Sequence, residues 1–222
     1  MLTALKVLLL LIVPIITQAH SGRTDANGGH MNRKTGQYHC HKSYCSAPLV
    51  TPSYTLNNQS TPSARYNRKD WPHWIDEDYD CQNTRAEVLI ESSQVPVKFK
   101  RNRGCSVSHG LWVGPYTGMT FTQASDLDID HIVPLAHAHR TGGANWSRKQ
   151  KRQFANDPDN LLAVDDRANQ QKGDKGPVRW KPPMSSYWCE YARRWQWVKR
   201  KYGLVVSERE RRSLEVMRNR CE

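Results

Sequence analysis

The sequence lacks a hydrophobic run long enough to span a membrane. Its one long apolar run, the ten residues Val7–Ile16, follows Lys6 and precedes small side chains at Thr17 and Ala19. A transmembrane helix needs about 20 apolar residues, so this run is too short to span a bilayer. The pattern predicts a cleaved signal peptide over residues 1–19, with an uncleaved anchor as the alternative. We therefore expect a secreted protein, with the periplasm as the alternative compartment.

The sequence is also short of acidic residues. It has 21 of them against 33 lysines and arginines, which gives the 222-residue chain a net charge of +12. Removing residues 1–19 takes away one lysine and lowers this charge to +11. An excess of positive charge favours a polyanionic partner, with nucleic acid first and an anionic cell-wall polymer second.

The region after the signal peptide lacks the apolar residues that a core requires. Residues 20–45 are rich in histidine, glycine and asparagine, and residues 46–68 in proline, serine and threonine. The first range reads as a histidine-rich segment and the second as a linker. Tryptophan, tyrosine and aliphatic residues return in patterned blocks from Asp70 onward, so the main domain is predicted over residues 69–222.

The six cysteines of an exported chain predict disulfide bonds. Cys81 and Cys105 lie 12 residues on either side of a predicted turn at Ser93, which would bring them together. Cys189 and Cys221 flank a second predicted reversal, where two antiparallel helices would set them opposite each other. Both pairs are therefore predicted to be bonded. A third bond is predicted between Cys40 and Cys45, with a metal site at Cys40 as the alternative.

The histidine-rich segment carries a candidate second metal site. Its members are His20, His30, His39 and His41. His39 and His41 flank Cys40, and imidazoles two residues apart in an extended segment share one face and can chelate a transition metal. The alternative is a flexible arm closed by a Cys40–Cys45 disulfide bond, and a metal carrier built on this segment is a further alternative for function.

The hydrophobic periodicity of the main domain indicates an α+β fold. Ala86–Glu91 and Val95–Lys100 predict a β-hairpin, with a short helix over Arg85–Glu91 as the alternative. Strict alternation over Asp126–Val133 predicts a strand with its aspartates on one face and His131 on the other.

The second half of the domain is predicted to be mostly helical. A helix over Ser147–Asn156, a short strand over Leu161–Val164 and a helix over Asp165–Lys172 follow one another. Aromatic residues recur every three or four positions over residues 187–202, which predicts an amphipathic helix. Ser207 opens a capping box before the last helix.

The centre of the domain holds the parts needed to cleave a phosphodiester bond. Such cleavage needs a base for water, a cation for developing charge and groups that position the phosphate. Asp130 and His131 are adjacent on a predicted strand, Asn160 precedes the next strand and Asn169 lies on the following helix. Oxygen ligands suit a hard ion such as Mg²⁺, and a neutral imidazole can act as base near pH 7.

Three segments, DIDHIVPL, DNLLAV and ANQQKGDKGP, resemble the HNH nucleases of the ββα-metal (His-Me finger) class. Residues 66–222 are more narrowly similar to secreted bacterial HNH endonucleases, through Trp71–Trp74, Asn83–Arg85, Lys172–Lys175 and Trp180–Pro183. The stretch around Cys40 resembles the YHYH motif of some exported bacterial proteins. The resemblance implies a ββα-metal core packed with a disulfide-stapled C-terminal helical hairpin.

The resemblance also implies roles for individual residues. Asp130 and Asn169 are implied as metal ligands, His131 as the general base and Asn160 as the residue that orients the His131 ring by a hydrogen bond. Asn169 stands where other members have histidine, which shifts the expected metal from Zn²⁺ toward Mg²⁺ or Mn²⁺, and Mg²⁺ is the first choice. Asp126 and Asp128 either tune the site or face solvent.

Positive side chains near these residues are candidates for phosphate contacts: Arg140, Arg167, Lys172 and Lys175. Because phosphate contacts carry no sequence information, the expected activity is hydrolysis of DNA with little specificity, and RNA stays open. His137 and His139 are expected at the surface. The alternative function is that of a non-catalytic basic protein that binds DNA or cell-wall polymer.

Overall fold

The computed structural model describes residues 29–31, 38–40 and 65–221. The predicted signal peptide, most of the linker, and the side chains of His20, His41 and Cys45 lie outside these residues. The first two described stretches form a short antiparallel pair, β1 (Gly29–Met31) and β2 (Tyr38–Cys40). In this pair the Cα of His30 lies opposite that of His39.

The remaining strands and helices belong to the predicted main domain. They are α1 (Thr84–Ser92), β3 (Lys98–Phe99), β4 (Val107–Val113), β5 (Thr120–Gln123), β6 (Leu127–His131), α2 (Leu135–Arg140), α3 (Arg148–Ala155), β7 (Leu161–Asp165), α4 (Asp166–Lys172), α5 (Trp188–Lys201) and α6 (Glu208–Arg218). The fold mixes helix and sheet, as predicted.

A β-β-α unit lies at the centre of the domain. β6 pairs antiparallel with β7, and the register runs from Leu127 opposite Asp165 to His131 opposite Leu161. α4 follows β7 without a loop, because the Asp165 carboxylate accepts a hydrogen bond from the Ala168 amide at 2.7 Å and caps the helix. The two strands and the helix predicted here from periodicity and capping are confirmed.

The predicted hairpin over residues 86–100 is wrong, and its helical alternative is correct. Asn83 caps α1 by accepting a hydrogen bond from the Ala86 amide at 3.1 Å. Ala86, Val88 and Leu89 are buried, a helical spacing that a strand would place on two faces. Only Lys98–Phe99 of the second predicted strand forms β-structure, and it pairs with β4, which in turn pairs with β5.

The helical hairpin of α5 and α6 is confirmed, as are the two disulfide bonds that the sequence predicts in the main domain. Cys189 and Cys221 are bonded with their Cα atoms 5.1 Å apart, and Cys81 and Cys105 with theirs 5.0 Å apart. Ser207 caps α6 as predicted. Glu210 does not close the capping box; its carboxylate turns inward and accepts a hydrogen bond from the indole of Trp195 at 2.5 Å.

Two apolar clusters form the core on the two sides of the central unit. The larger one joins α2, α3, α4, α5 and α6, with Phe154, Tyr191, Trp195, Val198 and Leu214 fully buried. The smaller one joins α1, β4 and the β6–β7 pair around Trp112. In the part of the chain that the structure describes, no helix is both long and apolar enough to cross a membrane.

Candidate functional site

One face of β6 lies against α4, and two contacts join them in register. Asn169 Nδ2 donates a hydrogen bond to Asp128 Oδ2 at 3.0 Å, and Lys172 Nζ donates to Asp130 Oδ1 at 2.9 Å. Residues two apart on a strand share a face, as do residues three apart on a helix, so the contacts form side by side. The structure therefore joins Asn169 to Asp128, whereas the sequence predicted that Asn169 and Asp130 act together.

The Asp130 carboxylate is buried and accepts hydrogen bonds from two side chains. Lys172 engages one oxygen, and the hydroxyl of Tyr116 donates to the other at 2.5 Å. Burial raises the pKa of Asp130, and the nearby Lys172 charge and the Tyr116 bond oppose that rise. Burial likewise lowers the pKa of Lys172, while Asp130 raises it.

The sequence suggested Lys172 as a phosphate contact, but the buried ammonium is not available for that role. Its side chain is 0% exposed, and its ammonium also donates to the His131 backbone oxygen at 2.9 Å. An ammonium with two oxygen partners and no exposure has no surface to offer a substrate. Its role in the structure is to tie α4 to β6.

The His131 ring lies on the other face of β6. It is 6% exposed and stacks on the Trp74 ring, with centroids 5.6 Å apart. Its Nε2 lies 2.8 Å from the backbone oxygen of Ala155, which can only accept a hydrogen bond. The proton of the neutral ring therefore resides on Nε2, and the lone pair is on Nδ1. Burial lowers the pKa of His131 to about 3, so the ring is neutral at pH 7.

Asn160 supports the site in a different way from the one predicted. Its side chain is fully buried; Oδ1 accepts from the Val133 amide at 2.8 Å, and Nδ2 donates to the Val133 oxygen at 3.2 Å. Its backbone oxygen also accepts from the Ile132 amide. Asn160 thus fixes the backbone that follows His131, and the carbonyl of Ala155 orients the ring.

The other candidate phosphate contacts differ in accessibility. Arg140 is exposed but forms an ion pair with Asp174 at 2.7 Å, which holds the pKa of that carboxyl below its usual range. Arg167 is exposed on the first turn of α4. The Lys175 ammonium donates to the Gln171 backbone oxygen at 2.6 Å. Of the four candidates, Arg167 and Arg140 present the most accessible charge.

Of two histidines expected at the surface, His139 is buried and His137 is half-buried. His139 is 5% exposed and packs edge-on against the rings of Tyr66 and Trp71. His137 packs on Trp195 with ring centroids 4.9 Å apart, and burial lowers its pKa to about 3. Both belong to the core that α2 shares with its neighbours.

Three residues that shape the site were assigned no role from the sequence. Trp74 and Arg85 lie in segments that were recognised only as family motifs. Arg85 donates to the Leu127 oxygen at 2.7 Å, so Arg85 and Lys172 hold the outward carbonyls at the two ends of β6. Tyr116 lies in a turn and only the tertiary structure brings it to Asp130.

The Asp128–Asn169 contact fits a divalent metal ion. Neighbouring ligands around Mg²⁺, each about 2.1 Å from the ion, lie about 3 Å from each other. The Asp128 oxygen and the Asn169 amide nitrogen are 3.0 Å apart, and turning the amide over would present its oxygen at a similar position. Both side chains are partly exposed, unlike Asp130. A carboxylate and an amide oxygen form a donor set suited to a hard cation.

The β-β-α unit and its polar residues lie within a region shared with known proteins. Residues 89–215, more than half of the chain, match the family described as GmrSD restriction endonucleases, C-terminal domain, and the chain belongs to that family. It is also 46% identical over 163 residues to a protein named "uncharacterized secreted protein" from Arthroderma benhamiae, covering 72% of this chain and 78% of that protein. No solved structure shows a significant match.

Proposed function

We propose that this protein is a secreted, metal-dependent endonuclease of the HNH type that hydrolyses phosphodiester bonds of DNA with little sequence specificity. The observation that carries the proposal is the Asp128–Asn169 contact on the β-β-α unit. The neutral His131 lies on the same strand, three residues after Asp128. The family description, which names restriction endonucleases, supports this reaction class. The name of the relative and the signal-peptide pattern support export.

The ion that we propose is Mg²⁺, with Mn²⁺ as the alternative, held by Asp128 and Asn169. This differs from the pair inferred from the sequence, because both oxygens of Asp130 are engaged by Lys172 and Tyr116. When bound, the ion would stabilise negative charge on the phosphate and on the leaving oxygen. Asp130 would hold the strand in place through Lys172.

His131 is the proposed general base. The Ala155 carbonyl holds the Nε2 proton, so Nδ1 is free to take the proton of the attacking water. Burial keeps the ring in its neutral form at pH 7, which is the form that can accept a proton. Because water is the nucleophile, no 2′-hydroxyl is required, and RNA is a candidate substrate beside DNA.

The first test is cleavage of supercoiled plasmid in the presence of Mg²⁺. We expect nicking and linearisation by the wild-type chain, and loss of both in EDTA and in His131→Ala. His109→Ala is the matched control, because His109 is exposed on β4. Full activity of His131→Ala, or of the wild-type chain in EDTA, contradicts the proposal. A retarded but intact plasmid would instead favour a non-catalytic DNA-binding protein.

The ligand assignment is tested by a Mg²⁺ titration of three aspartate variants, two of them on β6 and one in the turn just before it. Asp128→Asn should raise the Mg²⁺ concentration needed for half-maximal cleavage by about tenfold or more, since a charged ligand is lost. Asp126→Asn, at an exposed position, should match the wild type. Asp130→Asn should lower stability more than it changes the Mg²⁺ requirement. If Asp130→Asn raised the Mg²⁺ requirement more than Asp128→Asn did, Asp130 would be the metal ligand instead of Asp128.

A further inference from the structure

A concave pocket lies between α5 and the C-terminal end of α6, outside the residues discussed so far. Its volume is about 260 Å³. Four arginines line it: Arg193, Arg194, Arg200 and Arg218. All of them except Arg194 are exposed, and Trp197 and Glu190 also line the pocket. The Cys189–Cys221 disulfide bond joins the two helices next to this pocket, so its two walls are covalently connected.

The charge of the pocket is positive and largely uncompensated. Within residues 65–221, Arg193, Arg200 and Arg218 form no hydrogen bond or ion pair with another side chain. Glu190 is half-buried, and burial raises its pKa while Arg194 and Arg193 oppose the rise. These three exposed guanidinium groups therefore remain available for a ligand with several negative charges.

Two side chains give the pocket a fixed shape. Arg194 is 7% exposed and donates to the backbone oxygens of Asp159 and Leu161, each at 3.1 Å. The Trp197 indole donates to the Asp159 carboxylate at 2.9 Å, and Lys201 pairs with that same carboxylate. The Lys201 charge thus balances the Asp159 carboxylate, which therefore does not cancel the charge of the exposed arginines. The indole presents a fixed, partly exposed ring beside the arginines.

The pocket is connected to the sheet that carries the candidate site. The backbone oxygen of Leu161, which Arg194 holds, belongs to the residue paired with His131 across β6 and β7. A ligand that touches the arginines therefore binds to α5 and α6, and Arg194 of α5 is hydrogen-bonded to β7 of the β-β-α unit.

We propose that this pocket binds a strand of the polynucleotide substrate, with Arg193, Arg200 and Arg218 on successive phosphates and Trp197 stacked on a base. Guanidinium groups match phosphate oxygens in geometry, and an aromatic face accepts any base without sequence preference. A single small anion would use only part of this surface, whereas a strand uses both the charges and the ring. The inference rests on the proposed function and gives the enzyme a second binding site for long substrates.

The test measures strand binding in the His131→Ala background, so that no cleavage occurs. A triple variant, Arg193→Gln, Arg200→Gln and Arg218→Gln, is compared with a control triple that removes equal charge elsewhere, Lys98→Gln, Arg103→Gln and Arg209→Gln. Fluorescence anisotropy with a labelled single strand is recorded over a range of salt concentrations. Each lost phosphate contact should reduce the slope of log K against log salt by about 0.7. We expect a reduction of about 2 for the pocket triple and little change for the control.

Equal slopes for the two triples would overturn the pocket as a strand-binding site. Trp197→Leu should weaken binding about fivefold or more by loss of stacking, whereas Trp197→Phe should retain most of it. Equal loss in both tryptophan variants would contradict the stacking role.

Cleavage by the pocket triple with His131 intact separates this inference from the proposed function. We expect a lower kcat/KM on plasmid and an unchanged rate on a small phosphodiester that is too short to reach the pocket. If the wild-type chain cleaves nothing while the pocket triple still loses strand binding, the nuclease proposal fails and the pocket stands. If the wild-type chain cleaves plasmid and the pocket triple cleaves it equally well, the pocket fails alone.

Discussion

At the residue scale, the partner of a side chain decides its role. Asp130 and Asp128 are two residues apart on one strand face, yet the first is buried between Lys172 and Tyr116 and the second is partly exposed beside Asn169. A buried carboxylate must be paired, since the cost of removing its charge from water is several kcal/mol. Asp130 therefore belongs to the framework, and Asp128 is the aspartate with room for an additional ligand.

The first prediction concerns this buried ion pair. Lys172→Met should destabilise the fold by about 3–5 kcal/mol, because it leaves the Asp130 carboxylate buried with Tyr116 as its remaining side-chain partner. Urea unfolding followed by fluorescence gives the value. Adding Asp130→Leu to Lys172→Met should recover part of the loss, since no buried charge then remains. A double variant less stable than the single one would contradict this account.

The second prediction concerns pH. His137 lies among Lys199, Glu210, Arg140 and Asp174, and burial lowers its pKa from 6.5 to about 3. The unfolded chain takes up a proton as pH falls below 6.5 and the folded chain does not, so stability is complete above that pH and is lost progressively toward pH 3. The slope from this group reaches about 1.4 kcal/mol per pH unit.

The check on the pH prediction is His137→Gln. Glutamine keeps an acceptor for the Lys199 ammonium, which lies 3.2 Å from His137 Nε2, but it does not titrate. Urea unfolding from pH 7 to pH 4 should show a shallower loss of stability in the variant than in the wild-type chain. Parallel curves would show that His137 does not contribute.

At the element scale, short helices hold the site because their ends are satisfied locally. α4 has seven residues, too few to form a stable helix alone, yet it carries both Asn169 and Lys172. The Asp165 cap at its start and Gly173 at its end, with φ of 52°, set its length. α5 fixes the turn before β7 in a similar way, since Lys201 pairs with Asp157 and Asp159 in that turn.

The third prediction concerns the cap of α4. Asp165→Ala should cost about 1 kcal/mol of stability, because the Ala168 amide loses its acceptor. Asp166→Ala, one residue further along, removes only a side-chain contact with Gln170 and should cost less than about 0.5 kcal/mol. Chemical denaturation of both variants makes the comparison, and equal losses would contradict the capping role.

At the scale of the whole molecule, two disulfide bonds join segments that are far apart in the chain. The Cys189–Cys221 bond closes a 32-residue separation and fixes the end of α6 to the start of α5. The Cys81–Cys105 bond spans 24 residues and joins the segment before α1 to the segment before β4. Both bonds restrict the unfolded chain, and the effect grows slowly with the length of the closed loop.

The fourth prediction concerns the longer of these loops. Replacing Cys189 and Cys221 together by alanine should lower the free energy of unfolding by about 3 kcal/mol through greater entropy of the unfolded chain. Urea unfolding under oxidising conditions measures the change. Wild-type protein treated with reductant serves as comparison, and a loss below about 1 kcal/mol would contradict a stabilising role for this bond.

The sequence alone determined the local elements and the residues worth testing. The alternation before His131, the cap at Asp165 and the aromatic spacing of α5 are local patterns, and each predicted its element because periodicity and capping act over a few residues. The disulfide pairs followed from chain reversals that local signals also predicted. Residues 85–91 were less clear, because their apolar positions fit both a hairpin and a helix until packing against β4 and β7 selected the helix.

Only the tertiary structure decided which side chains meet. The contacts at the site join residues that are 14 to 42 positions apart in the chain. Asp130 contacts Lys172 and Tyr116, Asn169 contacts Asp128, and His131 contacts the Ala155 carbonyl. No local pattern encodes such pairs, since they depend on the register of β6 and β7 and on the rotation of α4 above them. Burial then separates the aspartate that belongs to the framework from the one that remains available to bind an ion.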